Sequence, residues 1–181
     1  MSAARLLILG VLRVHQPMHG YDVRRELESW RAEQWANIAY GSIYFALNKM
    51  AEEGLVEVVE RDQAGKGPRR TTYAITPRGE EAFQRLLREF WWEEKPVLDP
   101  LLVALTFMNE LPRDELLAVL RHRATRAKMT LEALELATIS PLLETGPRHI
   151  VENFRLSAEH TTAELRWLEY AIASVEHGDL P

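Results

Sequence analysis

Two groups of side chains in the first half of this 181-residue chain have the types and spacing to do chemistry. Ser42, Tyr44, Phe45, Asn48 and Lys49 lie within one short stretch and combine hydroxyl, amide, aromatic and ammonium groups. Presented together on one side of a helix, such groups can bond base edges in a major groove. Lys66, Arg69 and Arg70 form the second group, in a segment from Arg61 to Arg78 whose five cations are opposed by Asp62 alone. Cations clustered beside Gly65 and Gly67 suit phosphate oxygens, which supply affinity and little sequence choice. Taken singly, each of the three cations reads equally well as part of a charged, soluble turn, and Ser42, Tyr44, Asn48 and Lys49 without a hairpin read better as a solvated helix face, so the elements that position them decide the matter.

Other chemistries find little support. The chain has no Cys, which excludes disulfides, thiolate metal sites, iron-sulfur clusters and a cysteine nucleophile. His15 and His19 are separated by Pro17, and His122, His149, His160 and His177 are scattered, so no metal site is expected. Glu52-Glu53, Glu80-Glu81 and Glu93-Glu94 are adjacent rather than convergent, and no nucleophile elbow occurs. Gly65-Lys66-Gly67 lacks the full spacing of a phosphate-cradling loop. Neither an enzyme nor a bound cofactor is expected.

A composition of 46% hydrophobic and 27% charged residues is that of a globular protein. No apolar run approaches about 18 residues, so no membrane span is expected. Met1 to Leu12 lacks a small-residue cleavage site, so the reading is of a cytoplasmic protein without a signal peptide. The net charge of -5 is unevenly placed: residues 1–90 hold 13 Lys and Arg against 12 Asp and Glu, and the remainder 9 against 15. An acidic protein can therefore own one basic edge.

The elements follow from periodicity. Residues 3–14 are apolar nearly all round and read as a helix needing neighbours on several sides. His15 to Gly20 reads as a turn around Pro17, and from Tyr21 to Arg31 the spacing of Val23, Leu27 and Trp30 predicts a second helix. A loop holding Trp35 and Asn37 leads to a third helix over 41–53, with Ile43, Leu47 and Met50 on one stripe and Gly54 as its stop. Leu55 to Arg61 and Arg70 to Ile75 are rich in β-branched residues and read as a hairpin with a basic tip. Thr76-Pro77 starts a fourth helix, with Ala82, Phe83, Leu86 and Phe90 on its buried face.

Lys95-Pro96 marks the boundary between expected domains over 1–94 and 95–181. Beyond it Leu117, Leu120, Ala124, Ala127, Leu131 and Leu134 form one three-four seam. Val151, Phe154, Ala158, Thr161, Leu165, Leu168, Ile172 and Val175 form a second. Phe154, Leu165, Leu168 and Ile172 are candidates for pairing with a second copy, or for packing on the helix of the first seam. Trp91 and Trp92, at the end of the fourth helix, either anchor packing or line a flat pocket for a small aromatic effector.

The expected fold is mainly α: an N-terminal winged helix-turn-helix of three helices plus a β-hairpin wing, followed by an all-α dimerisation domain. That order puts the 41–53 helix in a major groove and the hairpin on flanking phosphates of double-stranded DNA. The alternative is a winged-helix protein-protein interaction module without DNA binding.

Three ordered motifs add a resemblance. His19-Gly20-Tyr21-Asp22-Val23, Tyr40-Gly41-Ser42-Ile43-Tyr44-Phe45-Ala46-Leu47 with Glu53-Gly54-Leu55-Val56, and Arg69-Arg70-Thr71-Thr72-Tyr73-Ala74-Ile75-Thr76-Pro77-Arg78-Gly79 resemble the PadR family of winged-helix transcriptional regulators. Phe45 stands where that family usually has proline. The resemblance implies a homodimeric repressor that releases its operator when a small molecule binds. It implies Ser42 and Tyr44 at the start of the recognition helix, Lys49 further along, Lys66 to Arg70 as the wing, and Tyr21 as a core or helix-packing residue. The acidic helical tail resembles the C-terminal dimerisation domain of the longer family members.

Overall fold

A computed structural model describes residues 3–36, 38–61, 71–94, 96, 99–138 and 148–181. It divides into two compact units, Met1–Pro96 and Val97–Pro181.

The first unit is built on α1 (Ala3–His15), whose Ile8, Leu9, Val11 and Leu12 are wholly buried. An apolar surface on most sides lets one helix serve as a central post, and α1 packs against the helices at 20–29, 43–52 and 77–92 and the strand at 71–75. Pro17 ends it, and Met18–His19 forms a two-residue strand, β1, where the sequence predicts only a turn. So short a strand has no periodicity of its own to read. His19 Nδ1 lies 2.9 Å from the Thr72 hydroxyl, which helps hold it against the sheet.

Helix α2 (Gly20–Ser29) buries Val23 and Leu27 as their spacing requires. Trp30, expected on the same stripe, is 40% exposed. The helix has ended by then, and Arg31 takes a left-handed φ of 50° that turns the chain into α3 (Ala32–Trp35). This one-turn helix occupies the predicted loop. A 3-10 turn over Tyr40–Ser42 leads into α4 (Ile43–Glu52). Gly54, at φ 71°, ends α4 with Gly54 N–H donating to Ala51 O at 3.0 Å and Leu55 N–H to Met50 O at 2.9 Å.

Strands β2 (Val56–Arg61) and β3 (Thr71–Ile75) are antiparallel, with Val56 opposite Ile75 and Arg61 opposite Thr71. A bulge falls between Val58 and Glu60, and the sheet order is β1-β3-β2. Thr76 caps α5 (Pro77–Trp92) by accepting from Gly79 N–H at 3.0 Å, and its hydroxyl donates to Gly54 O at 2.7 Å. Ala82 and Leu86 are buried and Phe83 half-buried, but Phe90 is 43% exposed, because the last turn of α5 runs past the core. Helices α1, α2 and α4, with the one-turn α3 between, a three-stranded sheet and the closing α5 make this unit a winged helix.

The C-terminal end of α4 is tied into that frame. The Arg5 guanidinium makes two hydrogen bonds of 2.6 Å to the Glu53 carboxylate just beyond α4. Those bonds, helped by the positive charges of Lys49 and Arg78, hold the Glu53 carboxyl below the usual carboxylate range. The folded chain then binds the Glu53 proton less tightly than the unfolded chain. Its contribution to stability is fully present above the unfolded carboxylate pKa and is lost as pH falls through the folded one. Arg5→Met should therefore destabilise the protein at neutral pH, with the gap from wild type closing as pH falls through and below the ordinary carboxylate range. Urea melts across that range check it; a gap independent of pH would assign Arg5 a packing role instead.

In the second unit, α6 (Pro100–Leu105) is capped by Asp99, whose carboxylate accepts from Leu101 N–H at 2.8 Å. Helices α7 (Arg113–Thr138) and α8 (Val151–His177) pack antiparallel, since Arg113 bonds Val175 O and Glu176 O while Lys128 pairs with Glu169. Leu116, Leu117, Leu120, Ala124 and Ala127 meet Leu168, Ala171 and Val175 in one core. Fully burying a leucine contributes about 1.5–3 kcal/mol, so this seam dominates the unit.

Candidate nucleic-acid interface

The interface starts from the alternation of burial along α4. Ile43, Leu47 and Met50 are wholly buried, at the i, i+4, i+7 spacing that fixes one helix face inward. Ser42, Tyr44, Phe45, Asn48 and Lys49 are all exposed, on one continuous surface. Phe45 is 70% exposed, an unusual outlay for a phenylalanine beside polar neighbours.

Each of these side chains has a defined setting. The Ser42 hydroxyl donates to Ala39 O at 2.7 Å, leaving its oxygen to accept from a ligand. The Tyr44 ring lies against Gly20, where an added Cβ would come within 3.3 Å of the ring and of Leu47 Cδ1. A glycine at the start of α2 thus lets the tyrosine of α4 lie flat against the neighbouring helix. The Asn48 amide oxygen accepts from the Tyr73 hydroxyl at 3.0 Å. Lys49 lies one turn before Glu53, whose charge Arg5 already neutralises.

Tyr21, which the resemblance makes a core or helix-packing residue, is 61% exposed and so lies outside the core. Periodicity alone carried the right answer, because Tyr21 is two residues, about 200°, from the buried Val23 on the same helix. Arg24 stands with Tyr21 and Tyr44. Its Nε donates to the Glu28 carboxylate at 2.6 Å, and that bond, with the electrostatic influence of both tyrosines, raises its pKa further. Tyr21 and Arg24 therefore extend the exposed surface of α4 onto α2.

The remaining site candidates are dispersed. Lys66, Arg69 and Arg70 lie outside the described residues, between strands whose ends at Arg61 and Thr71 are paired. Trp91 and Trp92 are 81% and 84% exposed at the end of α5. Within the second unit Leu168 is wholly buried against α7, Leu165 and Ile172 pack half-buried on the same core, and Phe154 is half-buried. Among the described residues no group of His, Asp and Glu could hold a metal ion, and no helix is long and apolar enough to cross a membrane.

This arrangement has known counterparts. Residues 8–85 match the family model described as "Transcriptional regulator PadR-like family". The fold of nearly the whole chain is similar to Bacillus subtilis PadR in complex with operator DNA, at 21% identity and a TM-score of 0.73 over 94% of this chain and 98% of that one. The same protein in complex with p-coumaric acid matches at 20% identity and a TM-score of 0.74, over 96% and 99% of the two chains. The Vibrio cholerae virulence activator AphA matches at 19% and 0.68, over 96% and 98%. No curated protein matches the sequence. With a winged helix and an exposed face on α4, residues 8–85 carry the pattern of the PadR-like transcriptional regulators, and the fold of nearly the whole chain is similar to that of PadR proteins.

Proposed function

We propose that the protein is a ligand-responsive repressor that binds a palindromic DNA operator as a homodimer in the cytoplasm. The observation that carries this reading is the outward row Ser42, Tyr44, Phe45, Asn48 and Lys49 on a helix locked from behind by Ile43, Leu47 and Met50. One α4 reads each half-site, and Lys66, Arg69 and Arg70 clamp the flanking phosphates. Half-site centres then lie roughly 34–36 Å apart, or a multiple of that. Self-association falls to the second unit, where Leu165 and Ile172 border a core that Leu168 closes from within and Phe154 lies half-buried on the same helix. Trp91 and Trp92 offer two exposed indoles for a small aromatic effector, the class of ligand held by the similar Bacillus protein.

Selection of bound duplexes from a random library, repeated with p-coumaric acid and related phenolic acids, tests the whole reading. A twofold-symmetric motif, lost on adding an acid, is the expected result; no retained duplex even at low salt would point to a protein partner instead. Within that assay Tyr44→Ala should weaken the selected operator about tenfold while sparing random DNA, the mark of a base contact. An unchanged motif and affinity would remove Tyr44 from the readout.

A further inference from the structure

One hydrogen bond inside the winged helix bears on which base the outer face of α4 accepts. Tyr73 sits on the central strand, with Met18 and Val58 as its partners on either side, and is only 4% exposed. Its backbone and ring have little freedom, and its hydroxyl reaches the Asn48 amide oxygen at 3.0 Å. Asn48 is itself exposed, in the same turn as Tyr44 and Phe45. A buried group thus fixes the orientation of an amide on the surface proposed to face DNA.

The consequence lies in the two prongs of the amide. An asparagine free to turn bonds adenine with both at once, accepting from N6 and donating to N7. The Tyr73 hydroxyl occupies one of the two lone pairs of the Asn48 amide oxygen and keeps it turned toward the sheet, so Asn48 offers its Nδ2 hydrogens outward. Outward donors suit guanine best, since N7 and O6 both accept; adenine offers N7 alone beside its N6 donor, and cytosine, with its own N4 donor, is repelled.

We infer that Tyr73 is a positioning residue that turns the donors of Asn48 outward, selecting guanine over adenine and cytosine at one position of each half-site. The inference rests on the operator reading above. Its test is the same selection run with the full-length wild type, Tyr73→Phe and Asn48→Asp. Wild type should prefer guanine at one position by about fivefold or more. Tyr73→Phe keeps the ring and frees the amide to turn, so adenine should rise to parity there while other positions and the salt dependence stay as they were. Asn48→Asp replaces donors with acceptors, so cytosine should become the preferred base.

A purely structural Tyr73 would weaken all sequences alike, so a Tyr73→Phe protein with the wild-type motif overturns the inference. So does an unchanged motif for Asn48→Asp, a result that stands even if Tyr73→Phe fails to fold. A wild-type protein that selects no motif defeats the operator reading itself, and this inference with it.

Discussion

Gly79→Ala is expected to destabilise the first unit by about 3 kcal/mol or more, the upper end of what overpacking costs. An added Cβ would stand 2.0 Å from Leu55 O and 2.7 Å from Ile75 Cγ1. The far end of a flexible side chain could move aside at little cost, but Leu55 O is main chain and is held in place. It accepts from Thr76 N–H and from the Thr76 hydroxyl, both at 3.1 Å. Relief requires α5 to lift off the start of β2, breaking the Thr76 cap as it goes. For a unit of this size the melting temperature should fall by about 12–24 °C, at roughly 4–8 °C per kcal/mol. Gly41→Ala is the matched control, because a Cβ there meets nothing within 4 Å and should leave the transition nearly unchanged. Calorimetry on the two variants decides the point; equal melting temperatures would mean that the junction of β2, β3 and α5 yields far more easily than its hydrogen bonds imply.

The junction also shows which parts of the fold can be read in the sequence. Thr76-Pro77 and Gly54 carry local chemistry, a side-chain cap and a left-handed stop, and both act as their residue types require. The stripes of α4 and α7 were equally legible, since burial at a 3.6-residue period repeats over several turns and overrides any single misplaced residue. The failures are short or non-local. Strand β1 has two residues and exists only because β3, more than fifty residues later, offers it an edge. Helix α3 is one turn long, too short for a period, and Arg31 turns the chain into it without the glycine that usually marks such a backbone angle. Thr72 breaks the expected alternation of Thr71, Tyr73 and Ile75 because His19 covers it. At the candidate interface the exposed row of α4 was readable from its buried stripe alone. The bond from Tyr73 to Asn48 was not, because nothing local links residues on different elements.

Replacing Lys66, Arg69 and Arg70 together by Ala should weaken binding to every duplex sequence alike. The slope of log affinity against log salt should flatten by up to about 0.9 for each phosphate no longer neutralised, or up to about 2.7 per chain. The described cations of the first unit make this expectation strong, because most already have carboxylate partners within the chain. Arg5 is paired with Glu53, Arg13 with Glu80, Arg24 with Glu28, Arg25 with Asp22 and Arg85 with Glu89. A cation held by its own carboxylate releases few counterions from DNA. Residues 1–90 have almost no surplus of positive charge, so a phosphate backbone must be met by cations gathered where carboxylates are scarce. Arg61 to Arg78 is that place, and the pairing of Arg61 with Thr71 brings both ends of its 62–70 connection to the same end of the sheet. Salt titrations of the triple variant and of Lys49→Ala separate the roles. The triple variant should lose slope and keep the motif, whereas Lys49→Ala, on the reading face of α4, should change both. A triple variant with the wild-type slope would move the phosphate-binding role onto α2 and α4 and leave the hairpin with no part in binding.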